Sequence, residues 1–303
     1  MKRKRAGKLA VITCFVLIAS LMVAAPVMAK SKGKLPKNIK YESYNFKTKS
    51  WITENQKYDM ASFKYNKKGD PVKVTVQRVF KNNKKEALYS TKFNYKYKKK
   101  AIKSRTEKDP GDCMESILSY KKGVPYYEKT DNDGYKSYHN YKFKGRYLAQ
   151  DSYKLYDGDG EMYDSDVIKY NVKLKKGYPV KITCKRTIAD GPESTVCNFN
   201  KKGKAKGLVK TIVRDTPDYK SSYNYKYKFK KGRVSVVTKN YTAIVKSDNS
   251  KTKYKERITY KYTKKSINAK RYGSMINGTV AGILRTDYVV GTSDEDFFGT
   301  YWF

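Results

Sequence analysis

Hydrophobic and polar residues alternate with a period of two along most of the chain. From Tyr223 to Phe229, aromatic residues occupy every second position, and Asn or Lys occupies the positions between them. This alternation places all rings of a strand on one face and the polar side chains on the other. A Lys-Lys-Gly turn follows, ending at Gly232, and then a segment rich in Val. The sequence therefore predicts two strands joined as a β-hairpin.

The same pattern recurs along the chain, and no segment of helical periodicity separates the copies. We predict an all-β fold, an antiparallel meander of repeated β-hairpins whose sheet is open, curled or barrel-like. The aromatic anchors of the copies are Tyr65, Tyr95, Tyr120, Tyr141, Tyr170, Phe199, Tyr225 and Tyr260. All of them except Tyr120 are predicted to lie on the buried side.

The two ends of the chain differ from the repeats. Residues 1–29 have a basic start, an apolar stretch from Leu9 to Ala25 and small or short residues at Val27 and Ala29, which predicts a signal peptide cleaved after Ala29. The alternative is an uncleaved membrane anchor, since about 20 apolar residues span a bilayer. We interpret 30–37 as a basic linker, 38–272 as the Tyr/Lys-rich repeat domain and 273–303 as an acidic, aromatic C-terminal cap or tail.

Charge sets this chain apart from an ordinary cytosolic enzyme. It carries 68 Lys and Arg against 28 Asp and Glu, a formal net charge of +40. Aliphatic residues are sparse, which with such a charge is typical of disorder. However, the 30 Tyr residues favour strands and can bury a ring while the hydroxyl stays hydrated. We therefore expect a folded protein with a Tyr-rich core.

Export places the cysteines in a compartment where disulfides persist. A hairpin turn centred between Asp190 and Gly191 sets Cys184 opposite Cys197, which predicts a disulfide between them. The alternative is two small buried thiols. Cys113 is left over and is either free or intermolecular.

The segments Tyr65 to Val72 and Tyr170 to Val180 resemble the tyrosine-rich hairpin repeats (YD/RHS-like) of secreted and surface-exposed bacterial proteins. The resemblance covers roughly residues 60 to 270. It implies a β-repeat scaffold outside the cell, and it implies no catalytic residue.

Few residues suggest catalysis or metal binding. His139 is the one histidine of the chain and lies within a repeat, so we interpret it as structural or surface-exposed. An acidic segment from Asp151 to Asp166 contains Asp157, Asp159 and Glu161, which form a candidate Ca²⁺ site. The alternative is a Gly-bent hairpin turn with hydrated acids. No other cofactor is indicated.

Lysine rows carry the functional hypothesis. Alternation places Lys side chains on one face of a strand, where successive hairpins would extend them into a positive field that attracts polyanions. The candidate polyanion-binding residues are Lys96, Lys98, Lys173, Lys175, Lys226, Lys228 and Lys230. The alternative role of these lysines is solubility and protection of strand edges.

We therefore predict a secreted, non-enzymatic protein associated with the cell surface or wall. Its expected partners are anionic cell-envelope polymers or an anionic membrane surface, with extracellular nucleic acid as a further alternative. Other hypotheses are a secreted enzyme acting on anionic glycans through carboxylates, and a surface scaffold that binds a protein partner. An outer-membrane barrel ranks last, because the face that carries the rings lacks a continuous aliphatic band and the turns look equally short.

Overall fold

The computed structural model describes residues 36–263, with gaps at 52–55, 68–70, 99–100, 110–113, 122–123, 145–146, 176–177, 189–190, 207 and 232. These residues form sixteen β-strands. Among them there is no helix long and apolar enough to cross a membrane. The strands are β1 Pro36–Ser43, β2 Gln56–Tyr65, β3 Pro71–Phe80, β4 Lys85–Lys98, β5 Ala101–Asp109, β6 Met114–Lys121, β7 Val124–Asn132, β8 Tyr135–Lys144, β9 Tyr147–Tyr156, β10 Met162–Lys175, β11 Tyr178–Ile188, β12 Gly191–Phe199, β13 Val209–Asp215, β14 Tyr219–Lys230, β15 Arg233–Val245 and β16 Lys251–Tyr262.

Each strand pairs antiparallel with its neighbours in sequence, and β1 pairs with β16, so the sheet closes into a barrel. An ion pair bridges the closing seam on the outer surface. Arg257 of β16 donates two hydrogen bonds, of 2.8 and 2.9 Å, to the carboxylate of Glu42 on β1. Burial alone would raise the pKa of Glu42, but hydrogen bonds from Arg257 and Lys40 outweigh it and hold that pKa below its usual value.

The barrel has two chemically different ends. We call the end where each even-numbered strand turns into the next odd-numbered one the lysine rim, and the other end the opposite rim. Every hairpin at the lysine rim contains a register irregularity beside the last residues of its first strand, for example between Lys64 and Tyr65 and between Lys228 and Phe229. Bulges of this kind increase strand twist and are common at barrel rims.

The inward face forms one continuous core with members from all around the barrel, including Ile39, Leu118 and Ile182. Aromatic rings two residues apart stack along the inside of a strand, as Tyr95 and Tyr97 do at 6.1 Å. A barrel of sixteen strands is wide enough for a water-filled channel. In this barrel, Ile39, Leu118 and Ile182 are buried and belong to one packed cluster.

The predicted all-β antiparallel meander is confirmed, and it is of the barrel-like kind. The eight aromatic anchors lie one on each even-numbered strand, and all of them belong to the core or pack against it. The proposed domain boundaries remain predictions. The signal peptide, most of the linker, the tail and Cys113 lie outside the described residues.

The predicted register of the β11–β12 hairpin is wrong. Ile188 pairs with Gly191, so the turn is centred one residue earlier, and Cys197 lies opposite Ile182 instead of Cys184. A one-residue shift of the turn centre moves each partner by two positions and keeps both cysteines on the inward face. In the structure both cysteines are buried, and no disulfide joins them.

The two thiols are expected to resist alkylation in the folded protein. Burial raises the pKa of the Cys197 thiol well above its usual value, so the reactive thiolate is scarce at neutral pH. Iodoacetamide followed by mass spectrometry should label the peptides of Cys184 and Cys197 only after unfolding, without added reductant. A linked peptide pair in the unfolded, unreduced sample would show that a disulfide joins the two cysteines.

Candidate functional site

The outer wall of the barrel is hydrophilic. Outward positions on β10 and β14 carry mainly Lys, Asn and Ser, and apolar side chains such as Val167 and Ile117 are scattered among them. The outward residues of β14 are Lys220, Ser222, Asn224, Lys226, Lys228 and Lys230. The barrel therefore has an apolar, aromatic inside and a polar outside.

The lysines singled out from the sequence lie on this wall but not in one patch. Lys226, Lys228 and Lys230 are exposed on β14, Lys173 and Lys175 on β10 and Lys96 on β4. The side chain of Lys98 lies outside the described part. Several strands separate β4, β10 and β14 around the barrel, so the structure does not bring the three sets together.

Register creates a different arrangement, a line of lysines that crosses the strands. Lys64 of β2 lies opposite Lys73 of β3, Lys73 lies opposite Lys92 of β4, and Lys92 lies opposite Lys108 of β5. We call these four residues the lysine row. Neighbouring strands are about 4.8 Å apart, and like charges placed directly opposite destabilise a sheet. Glu115 lies 2.7 Å from Lys108 and offsets the charge at that end of the row.

A second group of lysines surrounds a shallow depression of about 630 Å³ on the wall between β8 and β11. Lys169 lies opposite Lys185. On its other side, Lys169 lies opposite Gln150 of β9, and Gln150 lies opposite Lys142 of β8. These three lysines line the depression together with polar residues such as Asn171. The wall therefore presents concentrated positive charge at two separate places.

The inside of the barrel contains a buried polar network. Glu128 accepts hydrogen bonds from the hydroxyls of Ser116, at 2.6 Å, and Tyr141, at 2.7 Å. His139 lies beside Asp151, with 2.9 Å between Nδ1 and Oδ2, and its ring stacks on that of Tyr141. These side chains lie on adjacent strands from β6 to β9, so that register brings them together.

Ion pairs also lie on the inward face. Arg214 donates two hydrogen bonds to Glu193, at 2.9 and 3.0 Å, and Lys239 lies 3.2 Å from Glu256. An unpaired charge is costly to bury. The pairing therefore explains how these groups can be buried, and no catalytic role is needed to account for them. His139 is thus buried in the interior, in agreement with its interpretation as a structural residue.

The acidic segment is divided by the fold. Asp157 accepts hydrogen bonds from the backbone amides of Asp159 and Glu161 at 3.1 and 2.9 Å, so it stabilises the β9–β10 turn. Asp151 points into the core instead. Within the described part of the chain, no group of three or more His, Cys, Asp or Glu side chains is arranged to hold a metal ion. The candidate Ca²⁺ ligands therefore do not come together as a site.

Sequence reasoning missed the lysine row and the buried network. Period two does place Glu128, His139 and Asp151 in phase with neighbouring ring positions, and that phase is the signal that could have revealed them. The row requires the register between strands, which the composition of a single strand does not contain.

The fold and wall define a closed, sixteen-stranded antiparallel barrel with a hydrophilic exterior. No protein-family model matches the chain, and no curated protein matches it. Among solved structures, it is similar to a porin-like protein from Bacteroides uniformis, with 12% identity and a TM-score of 0.53 over 75% of this chain and 96% of that chain. It also aligns with a porin-like protein from Bacteroides vulgatus, with 9% identity and a TM-score of 0.47 over 77% of this chain and all of that chain.

These comparisons correct the resemblance to YD/RHS-like repeat proteins, which is wrong. The hairpins close into one barrel, and a porin-like protein is among the solved structures similar to it. Local hairpin motifs are common to many all-β folds, so the short Tyr-Asn-Lys-Lys-Gly segment did not identify the family. At 12% identity, the likeness supports the barrel fold alone.

Proposed function

We propose that this protein is a non-enzymatic barrel of the bacterial cell surface whose outer wall binds phosphate-bearing envelope polymers. The observation that carries the proposal is the lysine row, in which Lys64, Lys73 and Lys92 oppose one another directly. Such repulsion is a cost to the fold, and a bound polyanion would remove it. Lys acts as a point charge that favours non-specific phosphate contacts over the bidentate recognition typical of Arg.

A second candidate, an outer-membrane barrel, is favoured by the closed sixteen-stranded fold and the likeness to a porin-like protein. The hydrophilic outer wall argues against this candidate. A Lys side chain facing lipid at the bilayer midplane costs about 2–4 kcal/mol, whereas the wall carries lysines on many strands. Fractionation separates the candidates, because a salt wash should release a surface-attached barrel while a membrane-spanning barrel would stay in the pellet.

The enzyme hypothesis has less support. The carboxylates of the acidic segment do not converge in a cleft, since Asp157 is engaged with its own turn and Asp151 with His139. Ser116 is hydrogen-bonded to Glu128. We therefore assign the buried acids to stability rather than to glycan hydrolysis.

The test of polymer binding is a triple substitution in the lysine row, Lys64→Gln, Lys73→Gln and Lys92→Gln. Affinity for inorganic polyphosphate should fall, and the slope of log affinity against log salt should flatten by roughly 0.7 per lost contact, as for single-stranded nucleic acid. The same change should raise the free energy of unfolding by up to about 1 kcal/mol per opposed pair. Lys226→Gln, Lys228→Gln and Lys230→Gln should also flatten the slope.

The matched control removes three charges from the opposite rim, through Lys81→Gln, Lys84→Gln and Lys85→Gln. These side chains are exposed. The control should change the slope of log affinity against log salt by less than about one unit. Equal losses in the row and control variants would mean that net charge alone drives binding. Affinity that does not change between low and high salt would reject electrostatic attachment altogether, and preference for one nucleotide sequence would indicate a nucleic-acid reader instead.

A further inference from the structure

The turns of the lysine rim contain basic residues and, among the described positions, no Asp or Glu. The described positions belong to the β2–β3, β12–β13 and β14–β15 turns. The exposed lysines in these turns or at the strand ends beside them are Lys67, Lys121, Lys175, Lys201, Lys202, Lys204, Lys230 and Lys231.

The opposite rim has a mixed character. Its turns include lysines such as Lys81 and Lys84, but also acids such as Asp133, Asp159 and Asp248. Several of these acids lie in tight turns, and hydrogen bonds from Ser250 lower the pKa of Asp248, which keeps it ionised. The described part of the lysine rim is therefore more uniformly positive than the opposite rim.

The chain also enters and leaves the barrel at the positive end. Pro36, where β1 begins, pairs with Tyr262, where β16 ends, and both lie at the lysine rim. The residues immediately before Pro36 include Lys30, Lys32 and Lys34, and the apolar stretch from Leu9 to Ala25 lies further upstream. Until cleavage after Ala29, which the sequence predicts, this apolar stretch is connected to the barrel through Pro36, at the lysine rim.

We propose that the barrel stands end-on, with its lysine rim docked on an anionic lipid surface. A ring of charges at one end matches a flat layer of headgroup phosphates, whereas a linear polymer would reach only a part of the ring. Basic residues near an anionic bilayer each contribute to binding, and the attraction extends over about a Debye length. Polymer binding by the wall, under the function proposed above, would continue on the sides of the standing barrel.

The experiment compares two charge-matched variants of the exported protein in co-sedimentation with vesicles of phosphatidylglycerol and phosphatidylcholine. The rim variant carries Gln at Lys201, Lys202, Lys204 and Lys230, and the control carries Gln at Lys47, Lys81, Lys84 and Lys85 on the opposite rim. Apparent affinity should fall at least tenfold for the rim variant and less than threefold for the control. Vesicles of phosphatidylcholine alone should bind neither variant better than the other.

Amine-reactive footprinting on the vesicles gives the orientation directly, including for protein that retains its apolar N-terminal stretch. Labelling of Lys201, Lys202 and Lys230 should drop severalfold on vesicles, while Lys81, Lys84 and Lys85 stay reactive. Equal protection at both rims, or equal affinity losses in the two variants, would overturn end-on docking. Binding to polyphosphate but not to anionic vesicles would also overturn end-on docking and leave the proposed function intact. If the unmodified protein bound neither polyphosphate nor anionic vesicles, both proposals would be rejected.

Discussion

Replacing Asp151 by Ala is expected to lower the free energy of unfolding by about 1–3 kcal/mol, the cost of leaving a buried hydrogen-bonding group without its partner. Asp151 has 0% of its surface exposed and lies 2.9 Å from Nδ1 of His139. Without the carboxylate, the His139 ring would remain in the core with a buried polar group left without this partner. Urea denaturation followed by circular dichroism measures the change.

Asp164→Ala is the matched control on the neighbouring strand. Its carboxylate accepts a hydrogen bond of 2.7 Å from the Tyr153 hydroxyl, but Asp164 is exposed. Because water can replace that contact, we expect a loss below about 1 kcal/mol. Asp151→Asn keeps an acceptor for His139 and should cost less than Asp151→Ala. Equal effects of Asp151→Ala and Asp164→Ala would show that the buried network does not stabilise the barrel.

Local parts of the fold could be predicted from the sequence because they depend on alternation within a strand. Tyr170 and Tyr225, for example, are buried where period two places them, and their Lys and Asn neighbours face outward. Turn residues also fix which strands pair as hairpins. These features require no knowledge of distant parts of the chain.

Closure of the barrel is a long-range property that alternation does not contain. The Glu42–Arg257 pair joins residues 215 positions apart, and nothing in the pattern of β1 or β16 specifies the other as its partner. The register of the β11–β12 hairpin failed for a related reason, since moving the turn centre by one residue keeps the same face inward. The lysine row depends on three such registers at once.

The candidate site follows the same division. Exposure of Lys173 and Lys226 could be inferred from one strand, but their position relative to other lysines could not. The buried acidic residues could not be predicted for a different reason. Glu and Asp usually lie on protein surfaces, so Glu128 and Asp151 would be expected there. Their burial is explained by hydrogen bonds to Ser116, Tyr141 and His139.

The second large effect is predicted from which side chains of β10 face the core and which face outward. Ile168→Ala should lower the free energy of unfolding by about 2–5 kcal/mol, because it removes a large side chain from a packed core and leaves a cavity. Ile168 is 0% exposed, whereas its neighbour Val167 is 51% exposed on the outer wall. Val167→Ala should therefore change stability by less than about 0.5 kcal/mol.

The same two positions also test whether the wall meets lipid or water, through Val167→Lys. If the wall faces water, this substitution joins Lys154 and Lys169 on the surrounding surface and should leave both folding and salt extraction unchanged. If the wall faces lipid, it should destabilise the inserted barrel by about 2–4 kcal/mol at the midplane. Thermal unfolding in buffer, and in detergent for any membrane-retained fraction, distinguishes the two results. A large loss for Val167→Lys together with a small loss for Ile168→Ala would reverse the orientation of the barrel wall and remove the basis for polymer binding.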